Sequence, residues 1–212
     1  MGTKFSTRVW VSVVGIASIF FGSKGYADTV ISVADFGLKP DTRENAVAYV
    51  QKAIEACRGK EPVTLVFPEG RYDFWPQYAH EKNYYETNTY DVFPKRLAML
   101  FEGLHNITVD GSGSQFIMHD RIQPITVENC DGVTLKNFSI DWDIPLTAQA
   151  RVTKVGSDFF EIEINVLESP YIIEDGKLVF VGEGWKSALG SMIEFESDTH
   201  FVVPGTGDLV LG

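Results

Sequence analysis

Cysteine is nearly absent from these 212 residues: Cys57 and Cys130 are the only two. Two cysteines do not make a disulfide framework, and no Cys or His spacing of the metal-binding kind occurs. His80, His105, His119 and His200 are scattered singly. Cys57 falls on a predicted helix and Cys130 in a predicted turn, so both are read as free thiols. Basic residues are scarce too, 18 against 29 acidic ones. No uncharged run is long enough to serve comfortably as a permanent membrane span, which needs about 20 apolar residues. These deficits exclude a disulfide-stapled miniprotein and a helical membrane protein, and no cofactor or metal is expected.

The longest uncharged stretch, Val9 to Gly22, follows Lys4 and Arg8 and leads into Ser23-Lys24-Gly25-Tyr26-Ala27. A basic start, a short apolar run and a small-residue exit are the layout of a cleavable secretory signal. Residues 1–27 are therefore read as a signal peptide, giving a secreted or periplasmic bacterial protein. Removing them takes away Lys4, Arg8 and Lys24 and no acid, leaving 15 basic against 29 acidic side chains, a net of −14. Such a surface repels phosphate backbones, so nucleic acid is excluded as a partner. It suits neutral sugars better than polyuronates. Aromatic residues make up 13% of the chain, enough for sugar-stacking faces as well as for strands.

Beyond the leader, Val30 to Gly37 reads as a short strand ending in a glycine turn. Residues 42–58 read as a helix, because Ala46, Val47, Val50, Ala53, Ile54 and Cys57 form one apolar face. Asp41 or Thr42 is the expected cap and Arg58-Gly59 the stop. Val63 to Phe67 and Arg71 to Phe74 are predicted strands around a Pro68-Glu69-Gly70 turn. Residues 76–96 show no period and are expected to form a long loop.

An internal repeat follows. Glu102-Gly103-Leu104-His105-Asn106-Ile107-Thr108-Val109-Asp110-Gly111 is echoed 26 residues later by Glu128 to Asn137. One such unit cannot bury its inner face alone; stacking does so. Asn106 and Asn137 head glycosylation sequons, but asparagine at a coil turn is explained by its tolerance of left-handed backbone. From Ala150 the pattern changes. Arg151 to Val155 and Phe159 to Ile164, around Gly156-Ser157-Asp158, predict an antiparallel hairpin. Leu178 to Val181 and Met192 to Phe195 continue as strands. The fold class is thus all-β: a helix-capped, right-handed parallel β-helix over residues 28–148, with an inserted antiparallel β-barrel or sandwich module over 149–212.

The residues most suggestive of chemistry are Asp141, Trp142 and Asp143, at the exit of the second coil. Two carboxylates beside an indole are parts a glycosidase uses: an acid, a base and a stacking face. They are candidates for substrate binding. As an acid/base pair they are unsuited, since neighbours on one strand do not straddle a ligand.

Four pieces in order resemble the opening of the pectate-lyase-like β-helix superfamily: Asp35-Phe36-Gly37-Leu38, Asp41-Thr42, the helix Val47 to Ile54, and Pro68-Glu69-Gly70-Arg71-Tyr72. Together with Asn137-Phe138-Ser139-Ile140-Asp141-Trp142-Asp143 and the Arg151 to Val155 hairpin, they resemble the α-1,3-galactosidases of glycoside hydrolase family 110. The resemblance covers most of residues 30–212. It implies an exported bacterial enzyme that removes terminal α-1,3-linked galactose with inversion and without a metal, on a glycan partner. It also implies a much longer chain, with catalytic aspartates in later coils, so the sequence reads as an N-terminal part and no catalytic residue is assigned before residue 212. The alternatives are a polysaccharide lyase or polygalacturonase, or a non-catalytic β-helix carbohydrate-binding module. Oligomeric state is not legible.

Overall fold

The structure, a computed structural model, describes residues 29–84 and 94–206 and the backbone of 209–210. The signal-peptide reading of residues 1–27 lies outside the described residues. Among them, no helix is long and apolar enough to cross a membrane.

The first half runs β1 (Thr29–Ser32), a 3-10 turn at Val33–Phe36, α1 (Val47–Cys57), β2 (Val63–Val66), β3 (Arg71–Phe74), β4 (His80–Lys82), β5 (Lys95–Glu102), β6 (His105–Met118), β7 (Gln123–Glu128) and β8 (Asp131–Trp142). Parallel ladders dominate it. One sheet has β1, β2, β6 and β8 in sequence, with β3 also on β6. In a second, β7 runs parallel to β5 and β4 antiparallel to it.

The 26-residue repeat is the ladder offset itself. Ile107 pairs with Val133, Thr108 with Thr134, Val109 with Leu135, and in the other sheet Phe101 with Val127. Beyond Asp110 the register shifts, so that Ser114 pairs with Phe138 and Phe116 with Ile140. Gly111-Ser112-Gly113 takes up the difference, and Gly111 cannot be replaced freely: a Cβ there would lie 2.5 Å from Phe138 Cβ. Asn106 and Asn137 have φ of 48° and 60°, the left-handed backbone expected of coil-turn asparagines.

Because one face of each strand points inward, Leu65, Phe101, Ile107, Val109 and Met118 are fully buried, and Leu104 in the β5–β6 turn joins them. Phe116 is their hub, with ring centroids 4.7 Å from Phe67, 5.6 Å from Phe74 and 4.7 Å from Phe138. The helix buries Val47, Val50, Ala53, Ile54 and Cys57 against β1, β2 and β5. It starts at Val47, five residues later than predicted from the expected cap at Asp41 or Thr42. Asp41 and Arg43 have positive φ, which no α-helix accommodates, and the Asp41 carboxylate accepts instead from Arg71 N. Asn45, rather than Asp41 or Thr42, takes the Val47 N–H. Both cysteines are free: Cys57 is buried and Cys130 half-buried. Burial pushes the Cys57 thiol up to about 11, with Lys60 lowering it and Glu61 raising it. The loop expected over residues 76–96 is corrected at both ends, because β4 and the start of β5 pair there; residues 85–93 lie outside the described residues.

The second half is antiparallel: β9 (Arg151–Val155) with β10 (Phe160–Glu163), then β11 (Tyr171–Glu174), β12 (Lys177–Gly182) and β13 (Trp185–Ala188) as a meander. β14 (Ser191–Met192) pairs with β15 (Leu209–Val210). The strand expected over Met192 to Phe195 is shorter, continuing only as an isolated Phe195–Val202 bridge. Much apolar surface stays open here, including Leu167, Phe201, Val155 and Ile173.

Removing the Phe116 ring leaves a cavity bounded by four other rings, those of Phe67, Tyr72, Phe74 and Phe138. Phe116→Ala is expected to cost about 3–5 kcal/mol, whereas Leu167→Ala, at an exposed site, stays within about 0.5 kcal/mol. Urea midpoints of the two variants check this, and equal shifts would contradict the placement of the core.

Candidate functional site

β3 places Arg71 and Asp73 two residues apart, so that both point to the same side of the strand. Tyr72 and Phe74 point inward. Asp73 nonetheless is buried, at 1% exposure, because other groups close over it. Arg71 Nε donates to both Asp73 oxygens at 3.0 and 3.1 Å, and Nη2 donates to Oδ1 at 2.6 Å. The same Nη2 donates to Asp143 Oδ1 at 2.8 Å. His119, just past the end of β6 and 2% exposed, puts Nε2 2.9 Å from Asp73 Oδ1 and Nδ1 2.7 Å from Glu183 Oε2. Both contacts are hydrogen bonds only when the ring carries both protons. The Trp75 indole stacks on the imidazole at 3.8 Å with planes 12° apart.

Burial pushes the Asp73 carboxyl up, but hydrogen bonds from Arg71 and His119 outweigh it and hold the group below the ordinary carboxylate range. Arg71 is raised further above its ordinary value, chiefly by its hydrogen bond to Asp73. Neighbouring Tyr72 is pushed up to about 12 by burial and the Asp41 charge.

Glu183 arrives from the antiparallel half, in the β12–β13 turn. Gly184 beside it approaches Asp120 so closely that a Cβ would lie 2.3 Å from Asp120 Oδ2. Arg121 sits 6.0 Å from the Trp185 ring centroid, a cation–π contact. The network therefore pins the hairpin of the second half onto the turn that ends β6.

The three residues singled out from sequence divide among different roles. Trp142 is half-buried against the core and its Nε1 donates to Asp120 O at 3.3 Å. Asp143 is the partner of Arg71. Asp141 is exposed and accepts from the backbone N–H of Trp142. The structure brings Asp143, not Asp141, to the cluster. Arg71, Asp73, His119 and Glu183 are the residues that sequence reasoning missed. The i, i+2 spacing of Arg71 and Asp73 on a strand was the only available signal. Ligand atoms of Asp73, His119 and Asp143 lie within 4.8 Å of one another, as a divalent ion would require, but Arg71 already donates to both carboxylates and supplies the positive charge there.

A second cluster lies on the other sheet. Glu102 and Glu128 are ladder partners, and like charges so placed repel. Lys82 Nζ donates to Glu102 at 2.7 Å and Glu128 at 2.9 Å, and the Tyr84 hydroxyl donates to Glu128. The Tyr84 and Lys82 hydrogen bonds hold Glu128 below its ordinary value.

A carboxylate held below its unfolded pKa of about 3.9 stabilises the fold above that value and loses the contribution as pH falls through and below it. Thermal melts between pH 5 and pH 2 are therefore expected to drop more steeply for the parent chain than for Asp73→Asn. At neutral pH the variant is expected to be less stable by about 3–5 kcal/mol, the cost of breaking a buried ion pair. Parallel curves would remove Asp73 from the network.

Residues 148–212 match the family model described as GLAA-B beta-barrel domain I. The chain is 60% identical over 182 residues to alpha-1,3-galactosidase B of Bacteroides thetaiotaomicron, covering 86% of this chain and 30% of that protein. It is 37% identical over 205 residues to an alpha-1,3-galactosidase B of Phocaeicola vulgatus, 95% of this chain and 32% of the relative. With alpha-1,3-galactosidase A of Shewanella woodyi it shares 35% identity over 169 residues, 79% of this chain and 28% of the relative. The chain spans about a third of the length of these curated relatives. This similarity relates the chain to the alpha-1,3-galactosidases and supports its resemblance to glycoside hydrolase family 110.

Proposed function

We propose that this chain is part of an exported glycoside hydrolase that removes terminal α-1,3-linked galactose from glycans. The observation that carries the reading is 60% identity across 86% of the chain to a protein named alpha-1,3-galactosidase B. The excess of acid over base agrees with a neutral glycan substrate. The coil half is read as the start of a right-handed parallel β-helix over residues 28–148, with the antiparallel module of 149–212 inserted in it. In-register parallel ladders at a 26-residue offset support that architecture. Residues 1–27 are read as the signal peptide that exports it.

The reaction is read as a single displacement with inversion. One carboxylic acid protonates the leaving oxygen while a carboxylate activates water on the opposite face of the sugar. Among the described residues, the acids of both clusters are committed to other partners. Asp73 and Asp143 are held by Arg71, and Glu102 and Glu128 by Lys82. We therefore assign the acid and base to the part of the relatives' length that this chain does not span. Trp142 and Asp143 act as a buttress for the coil exit, with Asp141 the member of the trio free to face a ligand.

A protein of the relatives' full length is expected to release galactose from an α-1,3-galactosyl oligosaccharide, with the β-anomer first by NMR. The 212-residue chain is expected to release none. Release by the 212-residue chain would overturn the assignment of the acid and base, and an α-anomer would overturn inversion.

A further inference from the structure

The turn between β3 and β4 carries Tyr78 with 65% of its surface exposed and φ of 69°, in the left-handed region that an aromatic residue adopts only at a cost. Such strain persists where surrounding groups over-determine the backbone, and it gathers at ligand clamps. Here the surrounding groups are identifiable. Asn45 Nδ2 donates to Gln77 O at 2.9 Å and to Trp75 O at 3.4 Å, and Asn45 Oδ1 accepts from Trp75 N. Gln51 Nε2, from α1, donates to Tyr78 O at 2.9 Å. The Ala79 N–H closes the turn on Pro76 O. Two polar side chains thus hold an apolar ring out in water, which burial energetics alone would not select.

Tyr78 stands between two open clefts and lines both. One, about 490 Å³, is formed with Trp75, Glu81, Arg96 and Asp120. The other, about 390 Å³, is formed with Tyr49, Lys52 and Glu44. Both volumes fall in the range of small-ligand sites, about 300–1,000 Å³. Each cleft offers aromatic surface with a few convergent polar groups. In the larger, Glu81 and Arg96 neutralise one another at 3.4 Å, leaving Asp120 as the surplus charge, an acceptor for sugar hydroxyls and a deterrent to anions.

We propose that the two clefts form a binding groove for a neutral hexose oligosaccharide, with Tyr78 as the ridge on which a sugar ring stacks. The groove deepens the glycosidase reading and rests on it for the class of ligand. Trp75 ties the groove to the buried network, since it stacks on His119 and also lines the larger cleft. The stiffness of the platform comes from Asn45, Gln51 and that stack, so little ordering is left for the ligand to impose.

The test is titration of the 212-residue chain with α-1,3-galactobiose by calorimetry and saturation-transfer NMR. Binding is expected, weakened about tenfold by Tyr78→Ala, the loss of one aromatic contact of about 1.4 kcal/mol. Tyr78→Phe and the remote Tyr171→Ala are expected to bind as the parent does. Gln51→Ala, which frees the backbone without touching the groove, is expected to weaken binding severalfold while circular dichroism stays unchanged. Undiminished binding by Tyr78→Ala, absence of binding by the parent, or preference for digalacturonate would each overturn the proposal. The galactosidase reading is tested apart from it. Binding that persists when the full-length protein releases no galactose sinks that reading and leaves the groove standing.

Discussion

A histidine closed off from water between two carboxylates is the constraint on which the arrangement of this molecule turns. Removing an ion from water costs several kcal/mol even after relaxation, so Asp73 is tolerable only with its charge matched at close range. Arg71 does this from the same strand with a forked donor, and His119, just past the end of β6, places Nε2 at hydrogen-bonding distance from the same carboxylate. Of the other carboxylates in the network, Asp143 and Glu183 are about one-third exposed, so water shares the cost of the surplus negative charge. The network thus grades from a dry centre at Asp73 to wet ends at Asp143 and Glu183, in two distant parts of the chain.

That grading explains why polar groups sit beside an apolar stack. Parallel strands align by hydrogen bonds and by side chains meeting their ladder counterparts, and burial of one face sets their register. Phe67, Phe116 and Phe138 fill the interior and fix the spacing. They are indifferent to what lies outside the coil. Arg71, reaching from β3 to Asp143 beyond the end of β8, ties these strands together on the outer side, where apolar packing has no hold. The open edge of the stack shows the contrast: Val127, Leu135 and Ile140 are 38–47% exposed on β7 and β8, whereas their ladder partners on β5 and β6 are buried.

What the sequence disclosed follows from range. Ladder pairing at 26 residues was legible because a coil repeat is a local pattern copied forward, and the left-handed Asn106 and Asn137 were legible because turn chemistry needs only its neighbours. The antiparallel hairpin at Arg151 to Glu163 was legible for the same reason. The helix start was misjudged, because apolar spacing continues through Ala46 while Asp41 is drawn off by a backbone N–H thirty residues away. Of the candidate trio, the sequence does not reveal which member joins the polar cluster. Asp143 does enter the polar cluster, but His119 and Glu183 are 64 residues apart, and nothing near either of them announces the other. A lone histidine in sequence carries no sign of what the fold will place on its two nitrogens.

The junction at Glu183 shows how one contact sets a geometry. The His119–Glu183 contact alone would tolerate a swivel of the hairpin, since a carboxylate engages a partner over a wide range of angles. The close approach of Gly184 to the Asp120 carboxylate narrows that freedom, and its φ of 80° favours glycine there. Arg121 over the Trp185 ring then closes the other side of the turn. Asp120 meets Gly184 with its carboxylate, accepts from Trp142 with its carbonyl, and lines the larger cleft beside Tyr78. Asp120 therefore joins the hairpin to the cleft. The antiparallel half in this way gains a mechanical link to the aromatic groove, although the residues lining that groove come from the coil half.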